Sequence, residues 1–327
     1  MPRVLITGAA GFIGMHASVR FLQEGWDVVG IDNFNDYYPV DLKRDRLIEL
    51  KFTASRLGRS FIMFEENLNS EVWLSLKSFD FNAIIHLAAQ AGVRYSIENP
   101  RAYLESNILG FQSVLDFVAA TDQKRFLYAS SSSVYGKNSS QPFSESEACN
   151  SPESYYAATK RANELMAKSY FHTKGISSMG LRFFTVYGPW GRPDMAPMIF
   201  AKAGLSDRTI KVFNHGNQKR DFTYIDDIVE GIYLLATMTN FPYQAMVCNI
   251  GNGAPVGLMD FISTLEKSIG KKFDKDFIDA QNGDVESTYA DTTLLKSLVS
   301  YKPLTGLDKG IPLFMEWYRS YYKSRLN

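Results

Sequence analysis

The feature that most constrains this chain is a run near its start, Val4-Leu5-Ile6-Thr7-Gly8-Ala9-Ala10-Gly11-Phe12-Ile13-Gly14, in which glycines recur every third residue between an apolar strand pattern and a helical one. Gly8 permits a tight turn, Gly11 lets the backbone approach a pyrophosphate, and Gly14 lets the helix pack closely on the strand. The free N–H groups at the helix start favour the phosphate charge. Taken alone, the same glycines can serve turn and packing. An acid at the expected distance narrows the choice: Asp32 closes the next strand pattern, Asp27 to Ile31. A carboxylate there accepts hydrogen bonds from the adenosine ribose and repels a 2′-phosphate. Asn33 and Phe34 follow it rather than an arginine, so charge favours NAD over NADP. An isolated aspartate can also cap a helix or a loop.

From this loop onward, short apolar runs alternate with helical periodicity: Val4 to Thr7 then Phe12 to Gln23, Asp27 to Ile31 then Leu42 to Phe52, Ala83 to Leu87 then Arg101 to Ala119. Strands such as Ala83-Ile84-Ile85-His86-Leu87 and Phe126-Leu127-Tyr128-Ala129 are apolar throughout, which suits a parallel sheet covered on both faces. Residues 1–185 therefore read as a doubly wound α/β domain of the Rossmann type. Beyond them the pattern turns irregular, with Gly188-Pro189-Trp190-Gly191-Arg192-Pro193, short strands, and helices near Ile225 to Thr237, Leu258 to Ile269 and Leu307 to Tyr322. Residues 186–327 read as a smaller substrate lobe whose loops can fold back over the strand ends, with chain exchange between the lobes allowed.

Composition excludes several other classes. Thirty-five Lys and Arg balance thirty-five Asp and Glu, so no global field collects nucleic acid or anionic lipid. Arg3 followed by apolar Val4 to Val19 superficially imitates a signal peptide, but Gly8, Gly11, Gly14 and His16 interrupt the run. No other stretch approaches the ~20 apolar residues of a membrane span, and a soluble protein is expected. Cys149 and Cys248 stand far apart outside any CxxC pattern, and His16, His86, His172 and His215 are scattered. No disulfide framework or metal site is expected, and a reducing cytoplasm fits best. His86, inside an apolar strand, reads as a satisfied core residue.

Reacting groups follow the fourth strand. In Ser151-Pro152-Glu153-Ser154-Tyr155-Tyr156-Ala157-Ala158-Thr159-Lys160, Ser151 reads as N-cap and Pro152 as the first helical residue, which puts Tyr156 and Lys160 on one face. An ammonium one turn away stabilises a phenolate and lowers the tyrosine pKa towards neutrality. Tyr155 has the wrong spacing and is assigned to packing. YxxxK is a weak signal by itself, and the hydroxyls of Ser130-Ser131-Ser132-Ser133 at the end of the preceding strand can be turn chemistry. Together with the glycine loop and Asp32 they describe one site.

On those motifs, and on Arg220-Asp221-Phe222-Thr223-Tyr224-Ile225-Asp226-Asp227, the chain resembles the extended short-chain dehydrogenase/reductases over nearly its whole length. Within them it is similar to nucleotide-sugar 4-epimerases. Asn35-Asp36-Tyr37-Tyr38, Ala88-Ala89-Gln90-Ala91-Gly92-Val93-Arg94-Tyr95-Ser96 and Arg182-Phe183-Phe184-Thr185-Val186-Tyr187-Gly188-Pro189-Trp190-Gly191-Arg192-Pro193-Asp194-Met195 look most like those acting on UDP-glucuronate. The resemblance implies that Tyr156 is the base for the sugar 4-hydroxyl, Lys160 its pKa-lowering partner and ribose ligand, and Ser131 a hydrogen-bonding relay. It implies an NAD pocket formed by Gly8, Gly11, Phe12, Ile13, Gly14, Asp32, Asn33, Leu87, Ala88, Ala89, Ser130, Tyr156 and Lys160. Asn67 and Leu68 fall at the adenine, where relatives carry an Asp, so one acceptor is changed. Arg220 falls at the UDP diphosphate and Asp284 at the uridine ribose. Many relatives place an arginine at Gln281, so Arg220 carries more of the diphosphate charge here.

Oxidation of glucuronate at C4 gives a β-keto acid that loses CO₂ readily, so an epimerase must restrain its carboxylate. Ser132, Ser133 and Thr185 offer neutral donors, and Arg192 and Arg94 offer charge, with Arg192 the stronger candidate. Dehydratases and decarboxylases of the family carry carboxylates where this chain has Ser132 and Ser133, which counts against both reactions. UDP-glucose or UDP-N-acetylhexosamine epimerisation, UDP-glucuronate decarboxylation and a non-catalytic NAD sensor remain as alternatives. In relatives the helices matching Arg101 to Ala119 and Ser154 to Lys174 pair across a dimer, so a homodimer is expected.

Overall fold

A computed structural model of the protein describes residues 1–121, 125–137, 140–280 and 287–323. Its first strands are β1 (Arg3–Thr7), β2 (Asp27–Ile31), β3 (Phe61–Phe64), β4 (Ala83–His86), β5 (Phe126–Ser131) and β6 (Ser178–Phe183). These six and a seventh, Ala245–Ile250, form one sheet in the order Ala245–Ile250, β6, β5, β4, β1, β2, β3. Every pairing is parallel. The sheet is an α/β doubly wound arrangement, and its order reverses between β1 and β4. Loops leaving those two strands diverge there and open a crevice at their C-terminal ends.

Burial explains the apolar strands. Val4, Leu5 and Ile6 in β1 and Ala83, Ile84 and Ile85 in β4 have no exposed surface, because helices cover both faces. On one face α1 (Phe12–Gln23) buries Phe12, Met15, Phe21 and Leu22. Its core continues into Ile225–Thr237 and the C-terminal helix, so the chain beyond residue 185 supplies both a sheet strand and part of the packing. Two shorter strand pairs, Thr185–Tyr187 with Phe222–Tyr224 and Ile210–Phe213 with Lys275–Ile278, stand over the strand ends.

Two helix expectations are corrected. The helix carrying Tyr156 runs Tyr155–Lys174 with Ser154, not Ser151, as N-cap; the Ser154 hydroxyl accepts the Ala157 N–H at 3.1 Å. Residues 151–153 precede the helix, and the Ser151 carbonyl lies 2.4 Å from where a Cβ on Gly136 would stand. Arg101 to Ala119 is not one regular helix: Pro100–Tyr103 and Gly110–Ala120 are α-helical, joined by a π-helical stretch Leu104–Leu109. Buried Asn107 sits in that stretch, accepting from Gln90 N at 2.8 Å and donating to Gln90 O and Thr159 Oγ1, each at 3.0 Å. These bonds fix the loop after β4 to the Tyr156 helix.

His86 is buried in the sheet, with Nδ1 2.7 Å from Thr7 Oγ1. Burial and then the charge of Lys160 push its pKa down to about 3 from 6.5. Unfolded chain takes up a proton at this residue below pH ~6.5 and the folded protein does not, so stability falls as pH drops from there towards the folded value. The slope is about 1.4 kcal/mol per pH unit, or about 2 kcal/mol between pH ~6.5 and pH ~5. Urea unfolding at both pH values should show this loss in the wild type and its removal in His86→Gln; equal losses in both proteins would show that His86 does not titrate this way. No helix among the described residues is long and apolar enough to cross a membrane.

Candidate active site

The glycine loop is built as a cradle. Gly8 has φ +71°, and a Cβ on it would lie 2.7 Å from Ala88 N in the loop after β4. A Cβ on Gly11 would lie 2.9 Å from the Gly8 carbonyl oxygen, and one on Gly14 only 2.0 Å from it. No side chain caps the start of α1, leaving that N-terminus open to an anion. Asp32 Oδ2 accepts from Ala10 N at 3.1 Å and Oδ1 from Phe34 N at 2.9 Å, so this acid also shapes the loop it serves.

One cleft of about 1570 Å³ runs from this cradle across the strand ends. Single small-molecule pockets hold ~300–1,000 Å³, so this cleft is larger than one such ligand requires. Gly8, Gly11, Phe12, Ile13, Gly14, Asp32, Asn33, Asn67, Leu68, Leu87, Ala88, Ala89 and Ser130 all line it. Ser131, Ser132, Ser133, Tyr156, Lys160, Thr185, Arg94, Arg192 and Arg220 line it too. Asp284, like Gln281, lies outside the described residues.

Individual side chains differ from the simple expectation. The Ser130 hydroxyl turns away and donates to Glu164 Oε1 at 2.6 Å, so Ser130 borders the cleft without offering that donor. Asn67 Oδ1 accepts from Asn69 N at 3.1 Å. The expected lowering of the Tyr156 pKa by Lys160 is also corrected. Burial dominates and pushes the phenol above its usual value, with the charge of Arg192 and a hydrogen bond from Ser131 pulling against it. Lys160 instead donates to the Ala129 carbonyl at 2.8 Å, within β5. Burial lowers its pKa to about 7 against the pull of Glu164.

Ser131 caps the short helix Ser132–Tyr135, its Oγ accepting from Ser133 N at 3.2 Å and lying 2.9 Å from Ser133 Oγ. The serine cluster is therefore both turn chemistry and a ring of hydroxyls at the cleft. The Arg94 guanidinium lies 5.0 Å from the centroid of the Phe213 ring at the far end. Arg192 is gripped by Asp194 through Nε, at 3.0 Å, and Nη2.

Several participants were not foreseen. Glu164 accepts from Arg182 through Nε and Nη2, both at 2.9 Å, and from Arg161 at 2.8 Å, behind Lys160. Its place four residues after Lys160 on one helix face was the available signal. Arg46 is fully buried and donates to Ala10 O at 3.0 Å, Tyr38 Oη at 2.7 Å and Trp190 O at 2.6 Å, tying three segments together. No local pattern announces that role. Among the described residues, no three or more His, Cys, Asp or Glu side chains are grouped to hold a metal ion.

Comparison with known proteins follows the same lines. CapI of Staphylococcus aureus is 45% identical over 98% of this chain and 99% of its own length. UDP-glucuronate 4-epimerase 4 of Arabidopsis thaliana is 46% identical over 98% of this chain and 76% of its own. The UDP-glucuronic acid 4-epimerase of Bacillus cereus, solved with UDP-glucuronic acid and NAD, superposes with a TM-score of 0.90 at 33% identity, over 98% of this chain and 100% of that one. Residues 4–251 match the NAD dependent epimerase/dehydratase family, and the chain belongs to that family.

Proposed function

We propose that the protein epimerises UDP-glucuronate at C4 to UDP-galacturonate, using NAD. The observation that carries this reading is the meeting, in one cleft, of Tyr156 with the carboxylate-free donors Ser131, Ser132, Ser133 and Thr185 and with Arg192. The relatives from Arabidopsis and Bacillus support the substrate.

The cradle fits a dinucleotide pyrophosphate, since side chains at Gly11 and Gly14 would fill the space or collide with the Gly8 carbonyl. Gly8 to Gly14 would hold that pyrophosphate, Asp32 and Asn33 the adenosine ribose, Asn67 and Leu68 the adenine, and Leu87, Ala88, Ala89, Ser130 and Lys160 the nicotinamide half. NAD, when bound there, would supply the acceptor and the donor for the C4 hydride. Tyr156 Oη takes the proton of the 4-hydroxyl and later returns one to the 4-keto oxygen. Ser131 hydrogen-bonds that oxygen. The charge of Arg192 and the Ser131 hydrogen bond favour the phenolate that burial disfavours. The 4-keto sugar turns over between the two hydride transfers.

Retention of the carboxylate follows from what surrounds it. Ser132, Ser133 and Thr185 are neutral donors, and donors that stabilise a carboxylate oppose loss of CO₂ from the β-keto acid. Arg220 binds the diphosphate, and the parts of residues 186–327 outside the strand Ala245–Ile250 and the helices packed on the sheet form the UDP-sugar lobe. The test is Ser133→Glu, whose added carboxylate should repel that of the sugar and yield UDP-pentose and CO₂ at a tenth or more of total product, about. An unchanged product in an active variant would contradict this assignment of the serines.

The enzyme works as a cytoplasmic homodimer and feeds polysaccharide synthesis in this reading. Leu104, Leu109 and Leu165 are 43, 51 and 54% exposed on the segments concerned, apolar surface that a second copy would cover. Light scattering at micromolar concentration should give twice the 36.9 kDa chain mass; a monomer would refute the dimer.

A further inference from the structure

The segment carrying Arg192 is held by contacts from two other parts of the chain. Arg46 holds the Trp190 carbonyl at 2.6 Å, and His16 Nε2 lies 2.9 Å from the Pro189 carbonyl. Trp190 itself has φ +60°, a left-handed conformation that only a tightly determined loop sustains. With the backbone fixed, the direction of the Arg192 guanidinium depends on its side-chain partners. Asp194 grips it through Nε and Nη2, a two-point contact that sets a planar group in one orientation. The Tyr37 hydroxyl donates to Asp194 Oδ2 at 3.0 Å and ties the pair to a second segment lining the cleft.

A guanidinium carries five N–H donors, and this grip leaves the Nη1 pair outside it. The carboxylate of Asp194 also offsets the charge that Arg192 presents to Tyr156 and to any acidic sugar. We propose that Asp194 is a positioning residue for acid recognition: it orients Arg192 so that its Nη1 edge is kept for the sugar carboxylate and moderates its charge beside Tyr156. This rests on the UDP-glucuronate reading and adds to it a residue that never touches the reacting atoms. Arg192 with an unpaired charge would bind the acid more tightly and hold it less well aligned.

Tyr156 is faced by Arg192 from this loop, by Ser131 from the end of β5 and by Tyr103 with ring centroids 6.0 Å apart, while Lys160 on its own helix is turned to the Ala129 carbonyl. Asp194→Asn keeps the size of the side chain and an acceptor for Tyr37 while removing the charge. In the protein without sugar, the Tyr156 titration is read as the phenolate absorbance lost in Tyr156→Phe; Asp194→Asn should move it about one pH unit lower. In NAD-loaded protein, calorimetry should show UDP-glucuronate binding several-fold tighter, UDP-glucose binding unchanged, and kcat for UDP-glucuronate about tenfold lower. Asp194→Glu, with the charge restored, should recover the titration. An unmoved Tyr156 titration, or parallel changes for the acidic and neutral sugars, would overturn the proposal. If the wild type does not act on UDP-glucuronate the functional reading fails, and the sugar-free titration still judges the hold of Asp194 on Arg192.

Discussion

Tyr156→Phe is expected to lower kcat about a thousandfold and to leave bound cofactor in place. The substitution removes one oxygen from a half-buried ring and adds none, so packing is kept. What is lost is the only phenol at the YxxxK position of the cleft, faced by Ser131 and Arg192. The glycine cradle and Asp32 are untouched by the change, so NAD released on denaturing the purified protein should match the wild-type amount. Wild-type turnover in this variant would remove Tyr156 from the chemistry. Loss of cofactor together with turnover would show that its contribution is binding instead. A non-catalytic NAD-binding sensor would be indifferent to the substitution in any partner assay.

Gly14→Ala is expected to destabilise the protein by about 3 kcal/mol or more and to empty the cofactor site. A Cβ at this position would lie 2.0 Å from the Gly8 carbonyl oxygen, a backbone atom that cannot rotate away. Either α1 lifts from the loop or the loop opens, and each movement spoils the pyrophosphate cradle. Gly58→Ala is the control. Gly58 has φ +63° at a helix end and no atom near the added methyl, so its cost is the ~1 kcal/mol of a left-handed alanine, with cofactor content unchanged. Urea unfolding and cofactor content of the two variants separate a steric cradle from a general intolerance of glycine loss. Equal, small effects in both would contradict the close-packing account of Gly14.

The glycine spacing had this geometry written into it because each glycine answers a local demand. Phe12 to Gln23 and Asp27 to Ile31 could be bounded from the sequence to the residue for the same reason: helix and strand there agree with their own periodicity. Phe61–Phe64 could not, since it is a short edge strand with only partial burial and no alternation to mark it. Ala245–Ile250 joins the sheet from the far half of the chain, a tertiary placement that no local pattern carries. At Ser151 the N-cap signal was correct in kind and three residues early, because a second serine, Ser154, supplies the capping hydroxyl.

The site shows the same division. Tyr156, Lys160 and the serines were visible as types at meaningful spacings. Which cation faces which group was not, because Lys160 turns to a carbonyl within β5 and Arg192 arrives from a loop thirty-six residues further on, counted from Tyr156. Arg46 and Asp194 act through contacts made only when distant loops meet, so their sequence neighbours say nothing of them.

The most direct measurement is to incubate purified protein with UDP-glucuronate, without added NAD, and follow the sugar and CO₂ by NMR. The account predicts UDP-galacturonate as the product, formed on cofactor retained through purification, with no CO₂. UDP-pentose with CO₂, or no conversion even after NAD is supplied, would contradict it.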